Sequence, residues 1–213
     1  MESAILREEW GEAWPTRTEI EALAEAVRTE LSVGDDGRLA RHSADIHYVA
    51  GRWAEAHQAY AEALEAGHPK VVHCHSRKAH CLIELAELAM IAENAQRDKK
   101  GKEFWRNTVK MAQNNVSHMI SSPGQKHNEA VVELERAVEA AGGVDATAVP
   151  AAYVCHPGDD GTREFGLVLK MQATLLYRLK RVQLAKIACD RALDALPDDA
   201  ELQDIKWEIG LRL

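Results

Sequence analysis

Apolar residues recur along most of the chain at three- and four-residue spacing, and no clear alternation with a period of two is present. This spacing predicts amphipathic helices, because residues three and four apart lie on one face of an α-helix. Turn residues such as Gly, Pro and Asp separate the predicted helices. Helices are predicted over about 3–13, 17–32, 38–50, 53–66, 70–96, 103–120, 126–141, 164–179, 181–196 and 199–211. The fold class is therefore predicted to be all-α.

Two segments of the chain carry the same order of small and large residues. Segments 38–69 and 166–197 align when Ala56 is placed on Ala185. Each segment also ends in a proline, with Pro69 one position later than Pro197. The alignment further pairs Ala44 with Ala173, Trp53 with Val182, Tyr60 with Cys189, Ala63 with Ala192, and Leu64 with Leu193. An internal repeat of two helices is therefore predicted, with Trp53 as a core residue.

This pattern resembles the tetratricopeptide repeat (TPR), a helix–turn–helix unit of about 34 residues. The resemblance implies a short α-solenoid of antiparallel helix pairs with an irregular insertion and a C-terminal capping helix. One departure is Lys180, which stands where the family usually has the turn glycine that Gly51 keeps. The single domain 1–213 would then comprise N-terminal helices (1–36), a repeat-like unit (38–69), enlarged central helices (70–141), the insertion (142–162), a second repeat-like unit (163–197) and the capping helix (198–213).

Burial of apolar surface explains such a stack without reference to a family. Each helix pair has one apolar stripe and cannot bury it alone, so neighbouring pairs cover one another and the last pair needs a cap. The last predicted helix suits this role because its apolar and acidic residues lie on different sides. The apolar side holds Leu202, Ile205, Ile209 and Leu213.

The resemblance also implies a binding surface, because the first helix of each TPR unit lines a concave groove that holds peptides. These positions are more basic than the whole chain, whose formal net charge is −8. The predicted partner is therefore another protein, through an acidic segment, although the positions are also consistent with ordinary solvated helix faces. The residues are Arg38, Arg41, Asp45 and Tyr48 in the first unit, His73, Ser76, His80 and Glu84 in the middle, and Leu167, Lys170, Thr174, Tyr177 and Arg178 in the last.

One subset of the family binds a C-terminal carboxylate through a Lys/Asn/Arg clamp. Asp45 and Thr174 stand where the asparagine of that clamp would be expected. The resemblance therefore does not extend to this ligand.

The segment from His73 to Cys81 contains histidines and cysteines that could suit zinc. However, Cys74 and Cys81 are seven residues apart, which is about 10 Å along a helix and too far for two ligands of one ion. Cys155 and its neighbour His156 could join them only if the loop folds back. We therefore expect the two cysteines to be small core residues beside partly exposed histidines, with no metal or cofactor.

Two basic segments raise the question of nucleic acid. Residues 97–110 combine Lys and Arg with Phe104 and Trp105, and residues 163–191 carry seven bases and two acids. Basic and aromatic residues together can bind single strands. The acidic total disfavours this as the main role, because phosphate neutralisation dominates such binding. We therefore interpret residues 97–110 as a solvated turn followed by a helix whose aromatic side chains face the protein interior.

The remaining motifs concern enzymes, membranes and location. The chain has no GxSxG, HExxH, glycine-rich phosphate loop or calcium loop, so no catalytic residue or small-molecule substrate is predicted. No apolar run approaches the roughly 20 residues of a membrane span, and the acidic N-terminus is unlike a signal peptide. The four cysteines fit free thiols in a reducing compartment, which favours an intracellular, cytoplasmic location.

The predicted function is a non-enzymatic scaffold or adaptor that binds a partner segment as a subunit of an intracellular complex. Two alternatives remain open. One is a metal- or thiol-dependent protein that uses the His73–Cys81 segment. The other is a nucleic-acid-associated helical protein that uses the basic segments.

Overall fold

The computed structural model describes residues 37–97, 122–150, 154 and 161–211. These residues form seven α-helices and one short 3₁₀ turn, Gly143–Asp145, and contain no strand. The all-α prediction is therefore confirmed for them. The helices are α1 (Arg38–Val49), α2 (Trp53–Glu65), α3 (Val71–Arg97), α4 (Pro123–Ala140), α5 (Thr162–Arg178), α6 (Val182–Ala195) and α7 (Ala200–Gly210).

Most helix ends fall within a residue or two of the predicted ones, but α4 begins three residues earlier than expected. Ser122 is its N-cap, with φ −65° and ψ 157°, and its hydroxyl accepts a hydrogen bond from the Gln125 amide at 3.3 Å. Pro123 follows at the first helical position, where its missing N–H costs nothing. The Ser-Pro pair is therefore a helix start. The predicted helices at 3–13, 17–32 and 103–120 lie outside the described residues.

The chain divides into two compact units. Among the described residues, the first unit contains 37–68 and 87–97, and the second contains 69–86, 122–150, 154 and 161–211.

In the first unit, α1 and α2 pack as a helical hairpin. Ala44, Ala56, Ala63 and Tyr60 are fully buried, so small residues lie where the two helices meet and one aromatic ring fills the adjoining space. Trp53 differs from its prediction as a core residue, because it is only half-buried. It is the first residue of α2, and its ring packs edge-on against Tyr48 with 5.2 Å between ring centroids.

In the second unit, α5 packs against α4, α6 and α7. Phe165 and Leu169 are almost fully buried in α5, and the apolar side of α7 is buried as predicted through Leu202, Ile205 and Ile209. Trp207 lies on the opposite side of α7 and is 67% exposed.

The described part of the insertion is tied to these helices by backbone groups. The Val149 amide donates to the Gly161 carbonyl at 3.1 Å, and Lys70 Nζ donates to the Val154 carbonyl at 2.5 Å. Both valines are buried. The insertion therefore contributes side chains to the core of the second unit.

The two helical hairpins α1/α2 and α5/α6 share the same turn. Gly51 has φ 68° and its amide donates to the Tyr48 carbonyl at 3.0 Å, while Lys180 has φ 60° and its amide donates to the Tyr177 carbonyl at 2.9 Å. The next amide in each turn donates to the residue before that tyrosine, at 2.9 Å in both hairpins. Lys180 thus adopts the left-handed conformation that glycine takes in the first hairpin.

Candidate interaction surfaces

The predicted binding positions on α1 are joined to one another. Arg41 Nη2 lies 2.8 Å from Asp45 Oδ2, and the Tyr60 hydroxyl donates to Asp45 Oδ1 at 2.5 Å. Arg38 is exposed at the start of the helix, and Tyr48 packs edge-on against Tyr60 near its end. The charge of Arg41 is therefore already balanced within the unit, because Asp45 is its ion-pair partner.

Two of the predicted positions on α5, Lys170 and Tyr177, contact α7, whereas Leu167 and Arg178 are exposed. Lys170 Nζ lies 2.8 Å from Asp199 Oδ2 and 2.9 Å from Glu201 Oε2, and the Tyr177 hydroxyl donates to Glu208. Thr174, which is half-buried, lies between Lys170 and Tyr177 at helical spacing. Acidic residues of α7 thus form ion pairs and hydrogen bonds with two α5 side chains, Lys170 and Tyr177, that were expected to bind an acidic partner. An external carboxylate that reaches Lys170 has to compete with two internal ones.

The pKa values at this contact reflect the pairing. Burial alone would lower the pKa of Lys170, but hydrogen bonds and charges from Asp199 and Glu201 outweigh it and raise the pKa. Burial alone would raise the pKa of Asp199, but Lys170 and the Leu202 amide lower it. Asp199 is also the N-cap of α7 and accepts that amide hydrogen bond at 3.1 Å. One carboxylate therefore starts α7 and holds it against α5.

The middle positions lie on α3. His73 and His80 are half-buried, the Ser76 hydroxyl donates to the His73 carbonyl at 3.0 Å, and His80 Nε2 lies 3.6 Å from Glu84 Oε1. These residues belong to the second unit. Their side chains lie along one helix rather than converging on a pocket.

The cysteines of α3 are core residues, as expected. Cys74 and Cys81 are fully buried and free, and Cys189 of α6 is buried and free as well. Burial raises the pKa of the Cys81 thiol and also that of the Cys189 thiol. Across the described ranges, no group of three or more His, Cys, Asp or Glu side chains is placed to hold one metal ion. Cys155 lies outside the described residues.

A buried charged cluster that the sequence analysis missed lies between α3 and α4. Glu133 contacts one histidine and two cations: its Oε2 lies 2.6 Å from His75 Nδ1, and its Oε1 lies 3.2 Å from Lys78 Nζ and 2.9 Å from Arg136 Nη1. The side chains of Glu133, His75 and Lys78 are 9%, 14% and 11% exposed. The signal in the sequence was a glutamate on the apolar stripe of α4, three residues after Ala130 and four before Ala137.

The contacts with His75 and Lys78 overcome the cost of burying this carboxylate. Burial alone would raise the pKa of Glu133, but the hydrogen bond from His75 and the charge of Lys78 lower it to about 2. Lys126, about two helical turns earlier on α4, is fully buried, and burial lowers its pKa. The cluster joins α3 to α4 within the second unit, and its geometry is that of a structural ion-pair network.

Large apolar side chains are exposed on the last two helices. Leu184 and Ile187 of α6 are 51% and 58% exposed, and Trp207 and Leu211 are 67% and 68% exposed on and just after α7. The exposure of these four side chains was not predicted from the sequence. The alignment of the two repeat-like segments shows which positions are equivalent, but it does not show which helices cover each position in the folded protein.

Of the two basic segments, 97–110 and 163–191, the structure describes mainly the second. Residues 98–110 lie outside the described residues. In the second segment, Arg181 Nη2 donates to Asn128 Oδ1 at 2.7 Å, and Arg191 lies over the Phe165 ring at 5.6 Å. Together with Lys170, these bases serve contacts within the second unit.

No protein-family model matches the chain, and a search of curated proteins finds no matching sequence. Among the described helices, none combines the length and apolar character that a bilayer crossing requires.

Proposed function

We propose that the protein is a non-enzymatic TPR-like scaffold that binds another protein as a subunit of a cytoplasmic complex. The observation that carries the proposal is the repeated hairpin turn. Gly51 and Lys180 share a left-handed backbone and the same pair of turn hydrogen bonds. A lysine accepts this conformation at a cost of about 1–2 kcal/mol, so its presence points to a turn that the architecture requires.

Packing within the hairpins supports the repeat. Ala44 and Ala56 are fully buried in the first hairpin, and Ala173 and Ala185 are fully buried at the aligned positions of the second. Small residues at these positions let the helix backbones approach closely. We infer that the two hairpins are units of an α-solenoid of antiparallel pairs, which α7 caps, and solenoids of this kind present extended surfaces to partners.

The internal ion pairs change which residues contact the partner. Arg41 and Lys170 form ion pairs with carboxylates of this chain, and Arg38 and Arg178, which have interactions of their own, are the most exposed charges on the same predicted faces. We propose that Arg38, Tyr48 and Arg178 make the main contacts with an acidic partner segment. His73, His80, Thr174 and Tyr177 then supply secondary contacts, and Lys170 contributes only where the partner replaces α7 carboxylates.

The experiment is crosslinking and affinity purification from the native source, followed by binding measurements on the recovered partner. The test variant is Arg38→Glu/Arg178→Glu. Each exposed ion pair contributes about 0–1 kcal/mol, so reversal of both charges weakens binding up to about 30-fold, more at low salt. The matched control is Lys186→Glu, which reverses an exposed charge on α6, a helix that carries none of the predicted binding positions.

Equal loss of binding in the control, or no loss in the test variant, contradicts the proposed surface. The scaffold itself is contradicted by stoichiometric zinc in the purified protein, since zinc favours the metal-dependent alternative. It is equally contradicted by RNA or DNA binding that survives about 150 mM salt.

A further inference from the structure

Contacts between α5 and α7 show that the two helices run parallel to each other. Lys170 Nζ, in the middle of α5, lies 2.9 Å from Glu201 Oε2 in the first turn of α7. The Tyr177 hydroxyl, near the end of α5, donates to Glu208 near the end of α7. The second contact lies seven residues after the first along both helices, which is a rise of about 10 Å in each. The two helices therefore run in the same direction and keep one register over two turns.

This arrangement gives α7 a place that corresponds to the first helix of a further pair. In a stack of antiparallel helix pairs, the second helix of each pair brings the chain back, so the first helices run parallel to one another. Here α6 returns the chain from α5 and packs against both α5 and α7. The positions proposed to bind a partner belong to first helices. The edge of α7 that meets α5 therefore lies beside the proposed binding positions of α5.

Two kinds of contact hold α7, and they differ in strength. Its apolar side is buried through Leu202, Ile205 and Ile209, none of which is more than 8% exposed. Its acidic edge is partly open to solvent, because the side chains of Asp199 and Glu201 are 21% and 56% exposed. Buried apolar side chains contribute more to stability than solvent-exposed ion pairs. The carboxylates can therefore leave α5 while α7 stays in place.

Lys170 is the basic residue that two of these carboxylates share. Its Nζ lies 2.8 Å from Asp199 Oδ2 and 2.9 Å from Glu201 Oε2, and its side chain is 24% exposed. It lies on the same face of α5 as Thr174 and Tyr177, at steps of four and seven residues. An external carboxylate that binds Lys170 has to exchange with an internal one, so the number of ion pairs does not increase.

We propose that α7 is an internal competitor of the partner: Asp199 and Glu201 form with Lys170 the ion pairs that an acidic segment of another protein would form, and they thereby weaken its binding to α5. This inference rests on the proposed function and adds its regulation. A partner segment gains the whole contact only if its carboxylates are close enough together to replace both internal ones. The contact therefore favours strongly acidic segments over segments with a single carboxylate.

The test variant, Asp199→Asn/Glu201→Gln, removes both competing carboxylates. Asn is as good an N-cap as Asp, so the start of α7 is retained. The probe is a fluorescein-labelled peptide of about twelve glutamates, and its binding is measured by fluorescence anisotropy at about 50 mM salt. Each exposed ion pair is weak, so the variant is expected to bind the probe about 3- to 30-fold more tightly than wild type. The gain should shrink at about 0.5 M salt, because salt screens exposed charges.

Two further variants show whether the gain depends on Lys170. Glu135→Gln/Glu139→Gln removes the same amount of charge from exposed positions of α4, and it is expected to bind the probe much like wild type. Lys170→Met, added to the test variant, is expected to remove the gain. Circular dichroism and melting temperature show that each variant is folded. The inference is overturned if the test variant binds the probe no better than the α4 control, or if the gain persists without Lys170.

The proposed function has a separate outcome on the recovered partner. Loss of binding in Arg38→Glu/Arg178→Glu, together with no gain in the test variant, supports the proposed surface and overturns only the internal competition. No loss of binding in Arg38→Glu/Arg178→Glu contradicts the proposed surface itself.

Discussion

Glu133 allows a direct test of the cluster between α3 and α4. Glu133→Gln keeps the shape of the side chain and removes its charge. Lys78, which is 9% exposed, then loses its buried carboxylate partner. His75 loses a 2.6 Å contact with a charged acceptor. Removal of one member of a buried ion pair is strongly destabilising, because the remaining charge has no compensation.

The pKa of Glu133 gives the magnitude. It falls from the ordinary value of 4.5 to about 2 in the folded protein. At about 1.4 kcal/mol for each pKa unit, the ionised carboxylate adds about 3 kcal/mol to the free energy of unfolding. The side chain is 9% exposed, so water screens the contacts only weakly. We therefore expect Glu133→Gln to lower the free energy of unfolding by about 3 kcal/mol at neutral pH.

The pH dependence has a defined sign. Because the folded-state pKa is lowered, the stabilisation is fully present above the unfolded-state pKa of 4.5 and is lost as the pH falls through about 2. Wild type is therefore expected to lose about 3 kcal/mol more than Glu133→Gln between about pH 6 and pH 2. The difference in stability between the two proteins should shrink as the solution becomes more acidic.

The assay is urea unfolding followed by far-ultraviolet circular dichroism at several pH values. Glu139→Gln is the matched control, because it removes an exposed carboxylate from the same helix. A second arm adds Lys78→Met to Glu133→Gln, which removes the stranded buried cation and should recover part of the loss. Equal stability of Glu133→Gln and wild type at neutral pH, or a difference that does not change with pH, would refute the reasoning.

Two other predictions concern the buried thiols and the hairpin turns. In native protein, Cys81 and Cys189 should resist alkylation near pH 8, because both thiols are buried and burial raises both pKa values. They should react fully after unfolding. Rapid labelling of the native protein, measured by peptide mass spectrometry, would contradict their buried positions. Lys180→Gly should raise the melting temperature, and Gly51→Lys should lower the free energy of unfolding by about 1–2 kcal/mol, because both positions need a left-handed backbone. A lower melting temperature for Lys180→Gly, or a more stable Gly51→Lys protein, would contradict the shared turn.

The positions of the helices could be predicted because helix formation depends on neighbours three and four residues away. This spacing placed α5 and α6 within two residues of their observed ends. The start of α4 was predicted three residues too late, because proline was taken to separate helices, although a capping serine followed by proline, here Ser122 and Pro123, also begins a helix. The same two residue types serve both structures, so local sequence alone left the choice open.

The contacts of charged side chains between helices could not be predicted from the spacing of residues along the sequence. Glu133 meets His75 and Lys78, which are 58 and 55 residues earlier in the chain, and Lys170 meets Asp199 across 29 residues. A helical pattern indicates which face a residue occupies, but it contains no distance to a residue on another helix. Lys170, which was expected to bind an acidic partner, therefore forms ion pairs with Asp199 and Glu201 at the start of α7 instead.

Trp207 illustrates the same division. Its helix was predicted from the sequence, and the buried side through Leu202, Ile205 and Ile209 followed from the spacing of apolar residues. Its own exposure followed from the packing of α7 on α5 and α6, which covers one side of the helix and leaves the other open. The sequence by itself determined the helices and their apolar sides, because backbone hydrogen bonds and side-chain periodicity are local. Only the tertiary structure decided which charges are paired and which apolar residues face water, because those depend on side chains that the fold brings together.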